Sequence, residues 1–297
     1  MKIFITGIAG SLGSLLGSHF KADGNDIKRV PPYKPEKYLW KYTEDLTDED
    51  LKGYDLIFYA SEPITDRPLG TASPTAEIVY PFLPLKRVLD YASSHDVWFI
   101  YASSFNSLYG NKVISRHAPP APTNFYGWAK ASEELLIETY RRMKGFKKAI
   151  ITRVSSAYGP GMRLDEMPAQ VMLKAMLGKE VVVRSPCAQR IWTYNRNVLH
   201  FYEVLFSRLE KEEETIHHIV GDTDFTRPLC NMEIARWILK IIGSDVEVKE
   251  GEYEPGERGI LFDVEMDPLY RPIYSFEEGV KATYEWLKGV KDKENAI

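Results

Sequence analysis

Lys2-Ile-Phe-Ile-Thr6-Gly7-Ile-Ala-Gly10-Ser11-Leu12-Gly13-Ser-Leu15-Leu16 opens the chain with a short apolar run, a turn punctuated by glycine, and a segment of helical character that continues to His19-Phe20. The order is strand, turn, helix. Gly7 permits a tight turn, Gly10 lets backbone approach a pyrophosphate, and Gly13 lets helix and strand pack closely. The first N–H groups of the helix and the positive end of its dipole would face the phosphates. Gly7, Gly10, Ser11, Leu12 and Gly13 are therefore candidate dinucleotide-binding residues.

The pattern then repeats. A second strand is expected over residues 26–30, running into Pro31-Pro32 without the acid that an NAD site places on the adenosine ribose. Arg29, Lys28 or Lys34 could instead meet a 2′-phosphate, so both NAD and NADP stay open, with Arg29 and the missing acid leaning toward NADP. Thr47-Asp48-Glu49-Asp50 reads as a helix cap with an acidic first turn. A strand over 54–59 leads into Ala60-Ser61. A helix over 78–92 is delayed or kinked by Pro81 and Pro84. Strands over 97–102 and 147–154 follow. Alternating strands and helices from residue 2 to residue 154 predict an α/β fold with a doubly wound parallel sheet of the Rossmann type over residues 1–160. Ligand then lies at the carboxyl ends of the strands, where Gly7, Ala60, Ser104 and Val154 fall. Helices over 165–177, 195–209, 231–242 and 276–288 and strands over 181–184 and 216–220 predict a smaller mixed α/β substrate domain over 161–297. Parts around 190–220 are expected to return to the first domain.

Residues 124–136 read Asn-Phe-Tyr126-Gly-Trp-Ala-Lys130-Ala-Ser-Glu-Glu-Leu-Leu, after Pro120 and Pro122 end the preceding segment. Apolar spacing predicts a helix over 126–142. Tyr126 and Lys130 are four apart and share one helix face. A phenol is a poor base at neutral pH, and a fixed ammonium beside it favours the phenolate. Such a pair can exchange a proton with a substrate hydroxyl or carbonyl.

The 297 residues are 44% hydrophobic with a formal net charge of -4, an ordinary globular composition. Acids and bases are mixed and no basic tract occurs, so nucleic acid is not an expected partner. Cys187 and Cys230, the only cysteines, form no metal spacing, and no metal is expected. The pair requires no disulfide, which fits a cytoplasmic protein. Gly7, Gly10 and Gly13 break the N-terminal apolar run, so no signal peptide is expected. No run approaches the ~18 apolar residues of a membrane span.

The residues together resemble the extended short-chain dehydrogenase/reductase family, in its NAD-dependent epimerase/dehydratase branch. The resemblance rests on Gly7-x-x-Gly10-x-x-Gly13, on Tyr101-Ala-Ser-Ser104 with Leu108-Tyr109-Gly110, and on Tyr126-x-x-x-Lys130. It continues through Arg153 with Tyr158-Gly159-Pro160-Gly161, through Gln189-Arg190-Ile-Trp-Thr-Tyr194 with Asn197-Val198, and through Arg271-Pro-Ile-Tyr-Ser-Phe-Glu-Glu-Gly279 with Trp286. It implies NAD or NADP, a nucleotide-sugar substrate, and a homodimer through the helices of residues 78–92 and 126–142. Tyr126 is implied as acid/base, and Lys130 as its partner and a ligand of the nicotinamide ribose. Asp45 and Leu46 resemble the pair that touches adenine, and Tyr59, Ala60 and Ser61 the segment under the pyrophosphate. Ala102 and Val154 join them as cofactor contacts. Arg190, Arg258 and Ser156 stand where the family meets the substrate.

Two departures matter. The family's catalytic Ser or Thr, four residues before the tyrosine of Tyr109-Gly110, is Phe105 here, flanked by Ser104 and Ser107. A register shift by one would let Ser104 hold the reacting oxygen, with Ser107 as the other candidate. The acid that the family's dehydratases carry just after that position is replaced by Asn106 and Ser107. Hydride chemistry remains: epimerisation through a transient ketone, or net oxidation or reduction of a sugar carbon. A catalytically silent dinucleotide binder is the alternative that Phe105 favours.

Overall fold

The computed structural model describes residues 1–26, 31, 33–61, 82–212, 216–222 and 228–290. Seven strands form one sheet in the order His217–Val220, Ala149–Val154, Trp98–Ser104, Leu56–Tyr59, Ile3–Thr6, Asp23–Asn25, Tyr38–Leu39. The pairings from Trp98–Ser104 outward to Tyr38–Leu39 are all parallel. Ile3, Phe4 and Ile5 are buried, as are Leu56, Ile57 and Phe58, which explains their unbroken apolar sequence: a parallel strand covered on both faces has no polar side. Chain order reverses on either side of Ile3–Thr6. The second and third strands lie to one side and the fourth and fifth to the other, so a switch point opens where Thr6 meets Gly7 and Tyr59 meets Ala60.

The second strand differs from the expectation. It is Asp23–Asn25, not residues 26–30, and residues 27–30, including Lys28 and Arg29, lie outside the described residues. An Asp-Gly-Asn string carries the composition of a turn. It forms a strand here because the Asp23 carboxylate and the Asn25 amide NH2 find partners in other segments. Asp23 accepts from the Tyr54 hydroxyl at 2.7 Å and from Lys37 N at 2.7 Å. Asn25 donates to Thr43 Oγ1 at 3.1 Å and Lys41 O at 3.0 Å. At Gly24 a side chain would overlap the carbonyl of Ile5.

The other elements follow the sequence closely. Thr47 caps the short Asp48–Leu51 helix in a reciprocal box with Asp50. The expected helix at 78–92 is observed as Phe82–His95, and residues 78–81 lie outside the described residues. The central helix is Phe125–Lys144, opened by Asn124 and closed by Gly145 in the left-handed conformation at φ 66°. Leu85, Val88, Leu89 and Ala92 of one helix and Ile137 and Tyr140 of the other pack with Phe99 and Ile151 of the sheet in one core.

The chain divides into two compact units. The first comprises residues 1–107, 120–153 and 207–218, and the second residues 108–119, 154–206 and 219–297. Among the described residues the second holds four two-stranded pairings, of which Gln189–Arg190 with Leu229–Cys230 is antiparallel and the other three are parallel. Asn231–Ile242 and Phe276–Lys288 are helices over the expected residues. In the latter, Phe276, Val280, Thr283 and Leu287 are buried, and the Thr283 hydroxyl donates back to Gly279 O at 2.6 Å. Asn197 is a buried hub: its amide accepts from Ile273 N and Tyr274 N and donates to Asp222 at 2.9 Å.

Candidate active site

Gly7 takes φ 68°, and a side chain there would come 2.8 Å from Ala60 O, so the tight turn demands glycine. At Gly13 a side chain would overlap the carbonyl of Gly7, where helix and strand touch. Gly10 differs. A Cβ there would meet a single neighbour, Gly7 O, in a tight contact at 3.2 Å, with nothing else within 4 Å. It is the N-cap of the Ser11–Phe20 helix and contributes no side-chain cap. The first turn therefore presents backbone N–H groups to whatever binds there. Ser11 is exposed, Leu12 half-buried and Gly13 buried.

Asp26 stands immediately after the second strand, and its carboxylate accepts from Ala9 N at 3.3 Å. This corrects the sequence reading, which ended the strand five residues later and found no acid there. The string Gly24-Asn25-Asp26 hid it, because it reads as a turn rather than a strand end. Arg29, the candidate for a 2′-phosphate, lies outside the described residues.

Across the switch point, Thr6 Oγ1 accepts from both Ala60 N and Ser61 N at 3.2 Å. Ser61 Oγ lies 2.9 Å from Thr43 Oγ1, the atom that Asn25 also reaches. Tyr59 is buried, and Ala60 and Ser61 are half-buried. Asp45 is exposed, while the Leu46 side chain joins the core and its carbonyl accepts from Arg87 Nε.

Lys130 is buried. Its ammonium donates to Ala102 O at 3.2 Å and lies 5.7 Å from the centre of the Tyr126 ring and 5.1 Å from that of Tyr101. Tyr126 is half-buried. Burial, followed by the negative charge of Glu133, pushes the Tyr101 phenol well above its ordinary range, and its hydroxyl donates to Glu133. Tyr101 therefore stays neutral beside the ammonium.

Of the two candidate serines, Ser104 is half-buried and its Oγ accepts from Asn106 N at 3.2 Å and Asn106 Nδ2 at 3.1 Å. Ser107 is fully buried, and its hydroxyl lies against Glu134 Oε1 at 3.0 Å and Ser104 O at 2.8 Å. Those contacts tie Ser107 to Glu134 and to the backbone of its own loop. Glu134 also accepts from Ser103 and from Arg153 Nε and Nη2 at 3.1 and 2.7 Å. Phe105 is fully buried between the two serines.

In the second unit, Arg190 is buried, paired with Glu257, and lies 4.8 Å over the Tyr109 ring. Burial raises the Tyr109 phenol against the pull of Arg190. Arg258 is exposed, 4.7 Å over Tyr253. Ser156 is half-buried at the start of the strand that pairs with Trp192–Tyr194, and Val154 is buried at the end of Ala149–Val154. Among the described residues no cluster of His, Cys, Asp and Glu could hold a metal, and no helix is long and apolar enough to cross a membrane.

The NAD dependent epimerase/dehydratase family matches residues 3–221. The chain belongs to that family. Among relatives, the trifunctional UDP-glucose 4,6-dehydratase/UDP-4-keto-6-deoxy-D-glucose 3,5-epimerase/UDP-4-keto-L-rhamnose-reductase of Arabidopsis thaliana is 29% identical over 171 residues. That match covers 56% of this chain but only 25% of the plant protein. The dTDP-glucose 4,6-dehydratase of Streptomyces antibioticus is 26% identical over 242 residues, 78% of this chain and 70% of that enzyme. The crystal structure of UDP-glucuronic acid 4-epimerase from Bacillus cereus, in complex with UDP-glucuronic acid and NAD, superposes with a TM-score of 0.83. It does so at 20% identity, over 97% of this chain and 99% of that one, and so shares the fold. The matched span contains the Tyr126–Lys130 pair, the three glycines of the first turn, and Phe105.

Proposed function

We propose that this chain is an NAD-dependent nucleotide-sugar epimerase in which Tyr126 passes a proton to and from a sugar hydroxyl. The observation that carries the reading is the buried Lys130 ammonium 5.7 Å from the Tyr126 ring, since that charge favours the phenolate a proton acceptor needs. Gly10, where a Cβ would have one neighbour within 4 Å, sits at a helix start without a side-chain cap, which fits a dinucleotide diphosphate. Gly7, Gly10, Ser11, Leu12 and Gly13 would hold it, with Ala60 and Ser61 beneath. Asp45 and Leu46 would meet adenine, and Lys130 and Ala102 the nicotinamide ribose, with Tyr59 and Val154 beside them. Asp26 would accept from the adenosine ribose hydroxyls, which favours NAD over NADP. When bound, the nicotinamide supplies the hydride acceptor and donor.

Tyr126 takes the proton from the sugar hydroxyl as it becomes a carbonyl and returns it on reduction. Ser104 donates to the same oxygen. Dehydration needs a second proton carrier after the serine, and Asn106 and Ser107 carry no titratable group near neutrality. The nearby acids do not replace it, because Glu133 and Glu134 are buried and engaged with Tyr101, Ser103, Ser107 and Arg153. The names of the relatives support a nucleotide sugar, and the resemblance assigns Arg190 to its diphosphate, with Arg258 and Ser156 as further contacts. Glu257 and Tyr109 would hold Arg190 in place until it is engaged.

We infer a homodimer from Leu83 on the Phe82–His95 helix and Leu135 and Met143 on Phe125–Lys144, large apolar side chains that are exposed in the single chain. The two free cysteines, Cys187 and Cys230, support a reducing compartment such as the cytoplasm.

The test is incubation with UDP-glucuronic acid, UDP-glucose and dTDP-glucose, following sugar stereochemistry by NMR and reduced nicotinamide by absorbance. Stereoisomer exchange without net cofactor change supports the epimerase. Stoichiometric change of added cofactor would favour a sugar dehydrogenase or reductase, and no turnover of any sugar a silent binder, the reading Phe105 supports.

A further inference from the structure

We propose that Asn106 and Asn124 form an amide relay that fixes Ser104 as a hydrogen-bond donor and ties it to the helix carrying Tyr126. This rests on the epimerase reading, because it assigns how the reacting oxygen is held.

The relay has four links. Gly127 N donates to Asn124 Oδ1 at 2.8 Å, and Asn124 Nδ2 donates to Asn106 Oδ1 at 3.1 Å. Asn106 Nδ2 donates to Ser104 Oγ at 3.1 Å, and Asn106 N donates to the same oxygen at 3.2 Å. Its direction follows from one fact of chemistry. A backbone N–H can only donate, so Asn124 must turn its carbonyl oxygen to Gly127 and its NH2 to Asn106. Asn106 must then present oxygen to Asn124 and NH2 to Ser104. Both lone pairs of Ser104 Oγ are thereby taken, and among the described residues no acceptor holds its proton. The hydroxyl is left as a donor, the polarity required toward a sugar oxygen that becomes a carbonyl.

The relay also sets position. Asn124 is the N-cap of the Phe125–Lys144 helix, two residues before Tyr126. A side chain at Gly127 would overlap the Asn106 carbonyl, so loop and helix start are in direct contact. Ser104 and Tyr126 are thus registered by hydrogen bonds rather than by chain connectivity, as a positioned acid/base and donor require. Phe105 fills a fully buried site at the position where a hydroxyl is expected, and the preceding residue takes over that role.

The experiment compares kcat, KM, thermal midpoint and pH profile for wild type, Tyr126→Phe, Asn106→Asp, Asn106→Ala and Asn124→Asp, with UDP-glucuronic acid and UDP-glucose as substrates. Asn106→Asp is isosteric, but its carboxylate accepts where the amide donated, so it captures the Ser104 proton. The expected result is a kcat roughly tenfold to a hundredfold lower at neutral pH, with KM and thermal midpoint near wild type. Relative to wild type, its kcat recovers as pH falls and the carboxyl is protonated, because the acid can donate again. Asn106→Ala shows the loss without the recovery. Asn124→Asp caps the helix equally well and still lowers kcat, because it cannot donate to Asn106. Wild-type kcat in Asn106→Asp at all pH, or a loss that acidification does not relieve, overturns the relay while an inactive Tyr126→Phe keeps the functional reading. Full activity in Tyr126→Phe, or no turnover by wild type, overturns the reading and the relay with it.

Discussion

The Arg153 guanidinium lies 2.7 Å from the Glu134 carboxylate with both side chains sealed from solvent. Glu134 is one turn beyond Lys130 on the same helix face, and Ser103 and Ser107 fill its other oxygen. The pair fastens the helix of the proton-transfer residues to the strand ends below it. Removing one partner leaves a buried charge alone. Glu134→Ala or Arg153→Ala should each cost about 3–5 kcal/mol of stability, whereas Glu134→Met with Arg153→Met together should cost less than the sum. Urea unfolding of the four proteins decides it, and additive losses would show that the two charges are not coupled.

The two outer glycines of the turn and the middle one should separate binding from folding. Gly10→Val meets only the Gly7 carbonyl, at 3.2 Å, which a small local shift relieves, so the fold should survive and NAD affinity should fall below detection. Gly13→Val overlaps the Gly7 carbonyl and should lower the thermal midpoint sharply. Calorimetry with NAD, paired with thermal melts, checks both. Unchanged affinity in Gly10→Val would remove this turn from the cofactor site.

Asp26 bears on cofactor choice. A carboxylate at the end of the second strand bonds ribose hydroxyls and repels a 2′-phosphate. Asp26→Ala should weaken NAD by about tenfold, in line with one lost charge-assisted bond, and narrow the gap to NADP. Titration of both dinucleotides measures it, and tighter NADP than NAD binding by wild type would contradict the assignment.

Asp50 makes a pH-dependent contribution. Burial would raise its carboxyl, but bonds from Lys41 and from the Thr47 backbone and hydroxyl hold it at about 2. A group lowered in the folded state adds stability that is complete above its unfolded value near 3.9 and is lost as pH falls toward about 2. Asp50→Asn should therefore cost on the order of 1–2 kcal/mol, equally at pH 7 and pH 5.5, with the gap to wild type narrowing below pH 4. A gap that stays constant at pH 3 would show that the ion pair is not its source.

Most of the fold was legible because apolar period and caps agree along much of the chain. The buried strands Leu56–Tyr59 and Trp98–Ser104, the Thr47 box, and the helices Asn231–Ile242 and Phe276–Lys288 all follow from local pattern. Asp23–Asn25 was not, because its strand depends on partners 14 and 31 residues away rather than on its own composition. That one displacement also hid Asp26. At the site, spacing alone brought out Tyr126 and Lys130. It did not bring out Asn106, Asn124 or the buried role of Ser107, since each is defined by which atom it faces, and adjacent polar residues in a loop carry no period to reveal that.

Tyr126 is proposed as the acid/base, with the Lys130 ammonium as the charge that favours its phenolate. The most direct measurement is turnover of UDP-glucuronic acid, beside NAD affinity, in wild type, Tyr126→Phe and Lys130→Met. Tyr126→Phe should lose at least about 10³-fold in turnover and bind NAD almost as wild type does. Lys130→Met should lose both if, as proposed, the ammonium also holds the nicotinamide ribose. A Tyr126→Phe protein that turns over its sugar at the wild-type rate would contradict the account.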